Sequence, residues 1–305
     1  MAIATSPDAR RDRRRFWRRV FSNRTKRQTR SKAGNALTFL FIAILAVFCA
    51  IPLVLSVGMS FKPLNELYMY PPRLLPVAPS VDSYRTLFGL MTSTWVPFTR
   101  YFFNTIVITV VGTVGHVMVA SAAAYPLAKG HFRGRGIINT MVMFSLMFVT
   151  TINDIANYLI ISGLGWTDTY AAILVPMLGA PLGLFIMRNY ISAAIPDSLL
   201  ESARLDGCNE VQTYGHIVMP LVKPAWLTVG ILMFQQTWGQ SHTLYLFSEK
   251  LKTLPYALAQ ITSGSLIKQG AAQAGSTLML IVPATVFILS QTNIVNAMAT
   301  SGMKE

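Results

Sequence analysis

The sequence has 305 residues, of which 52% are hydrophobic and only 12% are charged, and its formal net charge is +14 at pH 7. Soluble domains carry about 25% charged residues, so this composition excludes an ordinary soluble domain. Most of the positive charge lies in residues 10–32, ahead of the first apolar stretch. This placement indicates an anchor that keeps the N-terminus in the cytoplasm and not a nucleic-acid partner. A lipid-binding or RNA-binding tail is the alternative for this block.

Apolar stretches without any Asp, Glu, Lys or Arg decide the class of protein. Each approaches or exceeds the roughly 18–20 residues that a helix needs to span the hydrocarbon of a membrane. The alternating segments typical of a membrane β-barrel are absent. The sequence therefore predicts an all-α membrane protein with about six transmembrane helices. The uncharged stretches are residues 33–61, 101–128, 136–153, 169–187, 224–248 and 269–303.

An even number of spans places both termini on the same side of the membrane. The basic N-terminal block and the loop at 129–136 put that side in the cytoplasm, because cytoplasmic loops are rich in Lys and Arg. Lys250, Lys252 and Lys268 oppose this bias, since they fall in a predicted external loop. The predicted spans are Leu37 to Ser60, Phe103 to Leu127, Ile137 to Ile161, Tyr170 to Ala194, Leu221 to Gln240 and Gly275 to Ala297.

The stretch 196–220 is the most polar part of the second half of the chain, and apolar segments flank it. Pro196 suits the first position of a helix, and Gly207 supplies a residue that ends a helix in the left-handed conformation. A second short helix is expected to start near Asn209 and to stop at Pro220. The pattern predicts a cytoplasmic helix–Gly–helix hairpin at the membrane surface, which can insert into a groove on a soluble partner.

The hairpin sequence resembles the EAA loop of bacterial ATP-binding-cassette (ABC) importer permeases. That family has Glu-Ala-Ala, three residues, Gly, nine residues, Ile, one residue and Leu-Pro. Ser202 stands where the family has Ala, and Met219 stands where it has Leu; both replacements are small or apolar. The matching segments in this chain are Glu201-Ser202-Ala203, Gly207 and Ile217-Val218-Met219-Pro220.

Further segments extend the resemblance over residues 100–298 and towards the carbohydrate-importing, maltose-type branch. The resemblance implies a type I ABC importer permease fold in residues 36–305, preceded by a basic cytoplasmic tail in residues 1–35. The segments are AAAYPLAKGHFRGRG, GLGWTDTYAAILVP, KTLPYAL and the terminal SGMKE.

The function that the resemblance implies is import of an oligosaccharide or related sugar across the bacterial inner membrane. The implied partners are a second, similar permease, two cytoplasmic ATPase subunits and an extracytoplasmic solute-binding protein, with membrane lipid around the helices. The phosphate-binding pattern GxxxxGK[ST] is absent from the chain, so ATP and Mg²⁺ are expected in the ATPase subunits. The chain itself is expected to bind no cofactor and to catalyse no reaction.

The resemblance assigns the contact with the ATPase to Glu201, Ala203, Gly207, Ile217 and Pro220. Glu201 would offer a carboxylate to a basic residue of the ATPase, although a charge that stabilises the N-terminal part of its own helix is the alternative. Ala203 is expected to pack closely against the partner. Gly207 is expected to need a positive φ, and a side chain there would obstruct docking.

Polar side chains within the spans are costly, so they mark a candidate substrate path. Amides and an indole suit sugar hydroxyls and the apolar faces of sugar rings. Hydrogen bonding between helices is the alternative for the amides, and contact with lipid headgroups is the alternative for the acidic segment. The candidates are Gln235, Gln236, Trp238 and Gln240 in the fifth span, and Asn153 and Asp154 in the third.

Two other functions compete with the importer. A secondary transporter could use Asp154 and His116 as a proton relay, but the hairpin would then have no purpose, and an internal inverted repeat is not evident. A membrane enzyme, such as a lipid-sugar glycosyltransferase, would need a paired-acid or metal site. The sequence contains no His, Cys or carboxylate group with metal-ligand spacing and no convincing catalytic triad.

Overall fold

The computed structural model describes residues 32–70, 73, 75–92, 96–148, 150–262 and 268–301. Of the basic block of residues 10–32, only Lys32 belongs to this part of the chain, and of the terminal SGMKE only Ser301 does. The chain divides into two units, Met1–Val54 and Leu55–Glu305. The described part of the first unit is a single helix, whose last residues belong to the second.

The described residues form helices joined by turns and contain no strand, as the sequence predicts. A short 3₁₀ turn, Glu249–Leu251, precedes the last but one of them. The helices are α1 Lys32–Ser60, α2 Leu64–Leu67, α3 Asp82–Thr92, α4 Phe98–Lys129, α5 Arg135–Ser145, α6 Thr150–Gly163, α7 Ala171–Leu178, α8 Pro181–Ala194, α9 Asp197–Leu205, α10 Glu210–Leu221, α11 Lys223–Trp238, α12 Leu254–Thr262 and α13 Gln269–Ser301.

In the described part of the chain, four helical segments are long and apolar enough to cross a membrane by length and composition. They are Gly34–Ser60, Phe98–Lys129, Ala171–Ala194 and Gln269–Gln291. The count rises to five if α10 and α11, which meet at an angle of 77°, form one span. Of the six predicted spans, this test does not find the third, and it finds the fifth only as the second half of this bent pair.

The third predicted span, residues 137–161, is divided between α5 and α6. At 1.5 Å per residue, the 11 residues of α5 and the 14 residues of α6 reach about 17 Å and about 21 Å, short of a hydrocarbon layer of about 30 Å. The Ser145 hydroxyl donates to the Val142 carbonyl at 2.7 Å. This side-chain bond competes with the helical backbone where α5 ends.

The long helix α4 is the centre of the second unit, because α7, α8 and α11 all pack against it. Ala120, Ala124 and Ala128 recur every fourth residue of α4, and all three are buried. Small side chains at this spacing let a neighbouring helix approach closely. Met187 and Ile191 of α8 lie in one buried cluster with Ala124 and Ala128.

A second buried cluster lies at the opposite end of the bundle from the hairpin. Leu87 and Met91 of α3 pack there against Tyr101 at the start of α4 and against Leu254 and Leu258 of α12. Ala271 and Ala274 of α13 close this cluster. The segment between α1 and α4 is therefore folded onto the bundle through α3.

Among the described glycines, Gly183 of α8 leaves the least room for a side chain. A Cβ atom added to Gly183 would collide with the His116 ring of α4 and would lie 2.9 Å from Cγ1 of Val229 in α11. His116 is buried, and its Nδ1 lies 3.3 Å from the Leu178 carbonyl oxygen. Gly183 thus marks the point where three helices meet.

We expect Gly183→Ala to destabilise the protein, because overpacking a filled core costs about 1–3 kcal/mol. The measurement is the thermal unfolding midpoint of the purified transporter in detergent. Gly136→Ala is the matched control: Gly136 lies in the first turn of α5, and a Cβ there would meet nothing within 4 Å. An unchanged midpoint for Gly183→Ala would contradict this packing.

Candidate functional site: a surface hairpin and a polar cavity

The hairpin between α8 and α11 has the predicted helix–Gly–helix form, and its first turn follows from Gly207. Gly207 has φ +81°, a conformation that favours glycine. The Cys208 N–H donates to the Ala203 carbonyl at 3.0 Å, and the Gly207 N–H donates to the Arg204 carbonyl at 3.1 Å. These two bonds form a Schellman motif, which closes the C-terminus of α9.

The second helix of the hairpin starts at a capping box. The Asn209 side chain accepts from the Gln212 N–H at 2.8 Å, and the Gln212 side chain accepts from the Asn209 N–H at 3.0 Å. The helix contains a π-helical segment, Thr213–Val218, and ends at Leu221, one residue beyond the predicted stop at Pro220.

The inner face of the hairpin belongs to the same core as α4. Leu200 and Val218 are buried in the cluster that contains Ala124 and Met187. Ala203 is 4% exposed, so its side chain packs within this subunit, whereas the resemblance placed it against a partner. The reason is that Ala203 lies three residues after Leu200 and shares its face of α9.

Polar contacts tie both helices of the hairpin to α4. The Lys129 ammonium donates to the Asp197 carboxylate at 2.7 Å and holds the pKa of that carboxyl below its usual value. The Tyr125 hydroxyl donates to Glu210 at 2.8 Å, and Arg204 pairs with the other oxygen of the same carboxylate at 2.9 Å. The hairpin is therefore attached to α4 through both of its helices.

The outer face of the hairpin is open to solvent. Glu201, Gly207 and Pro220 are exposed, and Ile217 is half-buried. A groove of about 370 Å³ runs beside the turn. Its described lining residues are Asp206, Gly207, Cys208, Gln212, His216 and Ile217. Four of the five residues predicted to contact the ATPase thus lie on or near the outer face of the hairpin, and Ala203 lies beneath that face.

A polar cavity of about 420 Å³ lies between α6, α7, α11 and the loop that follows α11. It brings together three of the predicted substrate-path residues, Asp154, Gln236 and Gln240, with Asn157 beside them. Two other candidates, Asn153 and Gln235, are exposed and are not among the described lining residues.

Trp238 does not line the cavity in this structure. Its side chain is 5% exposed, and its indole N–H donates to the Met279 carbonyl of α13 at 3.0 Å. The Phe234 ring stacks against it, with the ring centroids 5.6 Å apart. Trp238 therefore joins α11 to α13, because the two residues from Gln236 to Trp238 rotate its side chain by about 200° around α11, away from the cavity.

Sequence reasoning missed the loop that forms one wall of the cavity, in which His242 and Tyr245 line the space. His242 has φ +51°, and its buried Nε2 has no hydrogen-bond partner among the described residues. Burial of the imidazole lowers the pKa of His242 to about 4. A histidine in a short polar loop was the only signal in the sequence.

Asp168 holds this loop in place. Its carboxylate accepts from the backbone N–H groups of Phe247 at 3.0 Å and Ser248 at 2.8 Å, and its own N–H donates to the Tyr245 carbonyl at 2.9 Å. Asp168 adopts φ +60° to make these bonds. It belongs to the segment GLGWTDTYAAILVP, which carried part of the resemblance.

Comparisons with known proteins agree with this arrangement. Protein LplC of Bacillus subtilis is 31% identical over 258 residues, which cover 83% of this chain and 84% of that protein. The arabinooligosaccharides transport system permease protein AraQ of the same organism is 28% identical over 270 residues, covering 88% and 94%. A crystal structure of a bacterial ABC transporter involved in import of the acidic polysaccharide alginate has the same fold, with a TM-score of 0.71 at 23% identity over 86% of this chain and 98% of that one.

The family described as binding-protein-dependent transport system inner membrane component matches residues 24–300. That match covers nearly the whole chain, including the hairpin and the cavity. The chain therefore belongs to this family and is an inner-membrane permease of an ABC importer.

Proposed function

We propose that this permease imports an oligosaccharide or related sugar and that it forms the path with a second, similar permease. The family makes transport dependent on a solute-binding protein and on an ATPase; we propose two ATPase subunits, one for each permease. The name of AraQ refers to arabinooligosaccharides, which supports a carbohydrate substrate here. The alginate transporter structure, at 23% identity, supports the fold alone.

The observation that carries the proposal is the division of the hairpin into two faces. Its inner face is part of the core around α4, and its outer face presents Glu201 and Gly207 to solvent. A soluble ATPase that docks on the outer face would move α4 whenever it moves the hairpin. Rocking of packed helices about such a contact is a common form of alternating access.

The proposed orientation places the hairpin and both termini in the cytoplasm. It rests on the basic residues of 10–32 and on Lys129, Arg133 and Arg135 near the hairpin. The polar cavity then lies towards the outer side, where a binding protein would deliver the sugar. ATP and Mg²⁺ would be used by the ATPase subunits, and this chain would catalyse no reaction.

The proton-coupled alternative has no support from the family match. The structure also gives His116 a packing position at Gly183, with its Nδ1 near the Leu178 carbonyl. Among the described residues, no group of three or more His, Cys, Asp or Glu side chains could hold a metal ion. The importer is the function that uses the hairpin.

The first experiment tests docking at the hairpin. We expect Gly207→Trp and Glu201→Ala to weaken co-purification of the ATPase and to lower ATP hydrolysis stimulated by the binding protein at least tenfold. Gly207→Asn is the control for conformation, because Asn tolerates a positive φ better than other residues. Ser202→Ala is the control for Glu201, since it changes an exposed neighbour to the residue that the family has.

The hairpin would lose its proposed role if both variants bound the ATPase and transported sugar normally. Membrane expression and thermal stability of each variant must match the parent, so that a loss of coupling is separated from a loss of folding.

The second experiment compares two neighbouring amides of α11. We expect Gln236→Ala to lower sugar uptake in proteoliposomes about fivefold, because it removes a hydrogen bond worth about 1 kcal/mol to a sugar hydroxyl. Gln235→Ala should change uptake less than twofold, since Gln235 is not among the described cavity residues. A larger loss of uptake in Gln235→Ala than in Gln236→Ala would place the sugar path on the other face of α11.

A further inference from the structure

The polar cavity described above carries one kind of charge. Asp154 is exposed within it, and among the described residues of the lining none is a lysine or an arginine. Burial, and to a smaller extent the negative charge of Asp154, raise the pKa of Tyr245. The Tyr245 phenol in the lining is therefore neutral. The only formal charge that the described lining offers is therefore negative.

His242 does not supply a positive charge. Burial lowers the pKa of its imidazole to about 4, so the ring is uncharged at neutral pH. Its Nε2 is left without a hydrogen-bond partner in the described part of the protein, which is a costly state for a buried polar atom. A neutral imidazole can accept or donate one hydrogen bond at that nitrogen, depending on its tautomer.

Two described lysines closely follow the cavity loop along the chain: Lys250 is exposed and is not among the described lining residues, and Lys252 is committed to other groups. The segment 249–253 touches the cavity loop, since the Thr253 hydroxyl lies 3.2 Å from the carbonyl oxygens of Gln240 and Ser241. In that segment the Lys252 ammonium pairs with Glu249 at 3.0 Å and lies 4.0 Å from the centroid of the Tyr256 ring. Its side chain is 12% exposed. The Lys252 charge is thus balanced within its own loop.

The remaining polar groups of the cavity lining are suited to hydrogen bonds with sugar hydroxyls. The amides of Asn157, Gln236 and Gln240 each offer both donors and acceptors, as does a sugar hydroxyl. The Asp154 carboxylate accepts hydrogen bonds and would accept them from hydroxyls. A uronic acid would instead bring a second carboxylate into a lining without a counter-charge.

We propose that this cavity selects uncharged sugars and disfavours uronic acids, and that Asp154 is the residue responsible. The proposal rests on the proposed function, because it names the substrate class of that same path. Two like charges about 6 Å apart, in surroundings of intermediate dielectric constant, repel strongly enough to weaken binding roughly tenfold to a hundredfold.

Protection of an introduced thiol tests this selection directly. Thr243→Cys places a thiol in the cavity lining at an exposed position. The complete transporter, with its partner subunits, is held in nanodiscs and treated with a maleimide. Peptide mass spectrometry follows modification at position 243, so the native Cys49 and Cys208 do not contribute. The thiol of Thr92→Cys, at the end of α3 and outside the described lining, is the control for non-specific protection.

The probes are three matched pairs that differ only at C6: galactotriose and trigalacturonate, cellotriose and its triuronate, and mannotriose and trimannuronate. We expect at least one neutral trisaccharide to slow labelling at position 243, and its uronate to need a concentration at least tenfold higher. Asp154→Asn should reduce this ratio to about threefold or less. Asp82→Asn, which makes the same change of net charge on α3, should leave the ratio unchanged.

Equal or better protection by a uronate would overturn the selection and would leave the carbohydrate importer intact. An unchanged ratio in Asp154→Asn would overturn the assignment to Asp154. If no sugar of either kind protects the thiol at position 243, the cavity is not part of a sugar path, and the proposed function itself fails at this site.

Discussion

Close packing against α4 is the constraint on which the rest of the structure depends. Ala120, Ala124 and Ala128 give α4 a flat, small-residue face. Met187 and Ile191 of α8 pack in the cluster that contains Ala124 and Ala128, and Gly183 permits the contact with His116. A larger residue along this row would separate α4 from α8. The position of the hairpin depends on the contact between α4 and α8, because α8 leads into the hairpin. The cavity depends on it through α7, which directly precedes α8 and forms one wall of the cavity.

The hairpin illustrates how a surface element can be rigid and still accessible. Its turn is held by the Schellman bonds around Gly207, and its second helix is held by the capping box of Asn209 and Gln212. Two carboxylates, Asp197 and Glu210, bind Lys129 and Tyr125 of α4. Exposed ion pairs contribute little on their own, so the buried Leu200 and Val218 supply most of the attachment. A force applied to the outer face therefore reaches α4 through packed side chains.

The other end of the bundle uses buried hydrogen bonds to shape its loops. Asn104 of α4 is fully buried; its amide donates to the carbonyls of Lys250 and Lys252, each at 2.9 Å, and accepts from the Tyr170 hydroxyl at 2.7 Å. With the bonds of Asp168, these contacts fix the loop that carries His242. The lysines of this loop opposed the charge rule in the sequence, and the structure shows Lys252 paired with Glu249.

Local chemistry determined much of this protein from the sequence alone. Long uncharged stretches require helices in a membrane, and Gly207 with its flanking residues specifies the helix–Gly–helix turn. The break within residues 137–161, the burial of Ala203 and the turning of Trp238 towards α13 were decided only by the tertiary structure. The tertiary structure also decided that Asp154, Gln236 and His242 line the same cavity. Hydrophobic stretches and caps are set by residues close together in sequence, whereas the face that a polar side chain presents depends on which distant helix packs beside it.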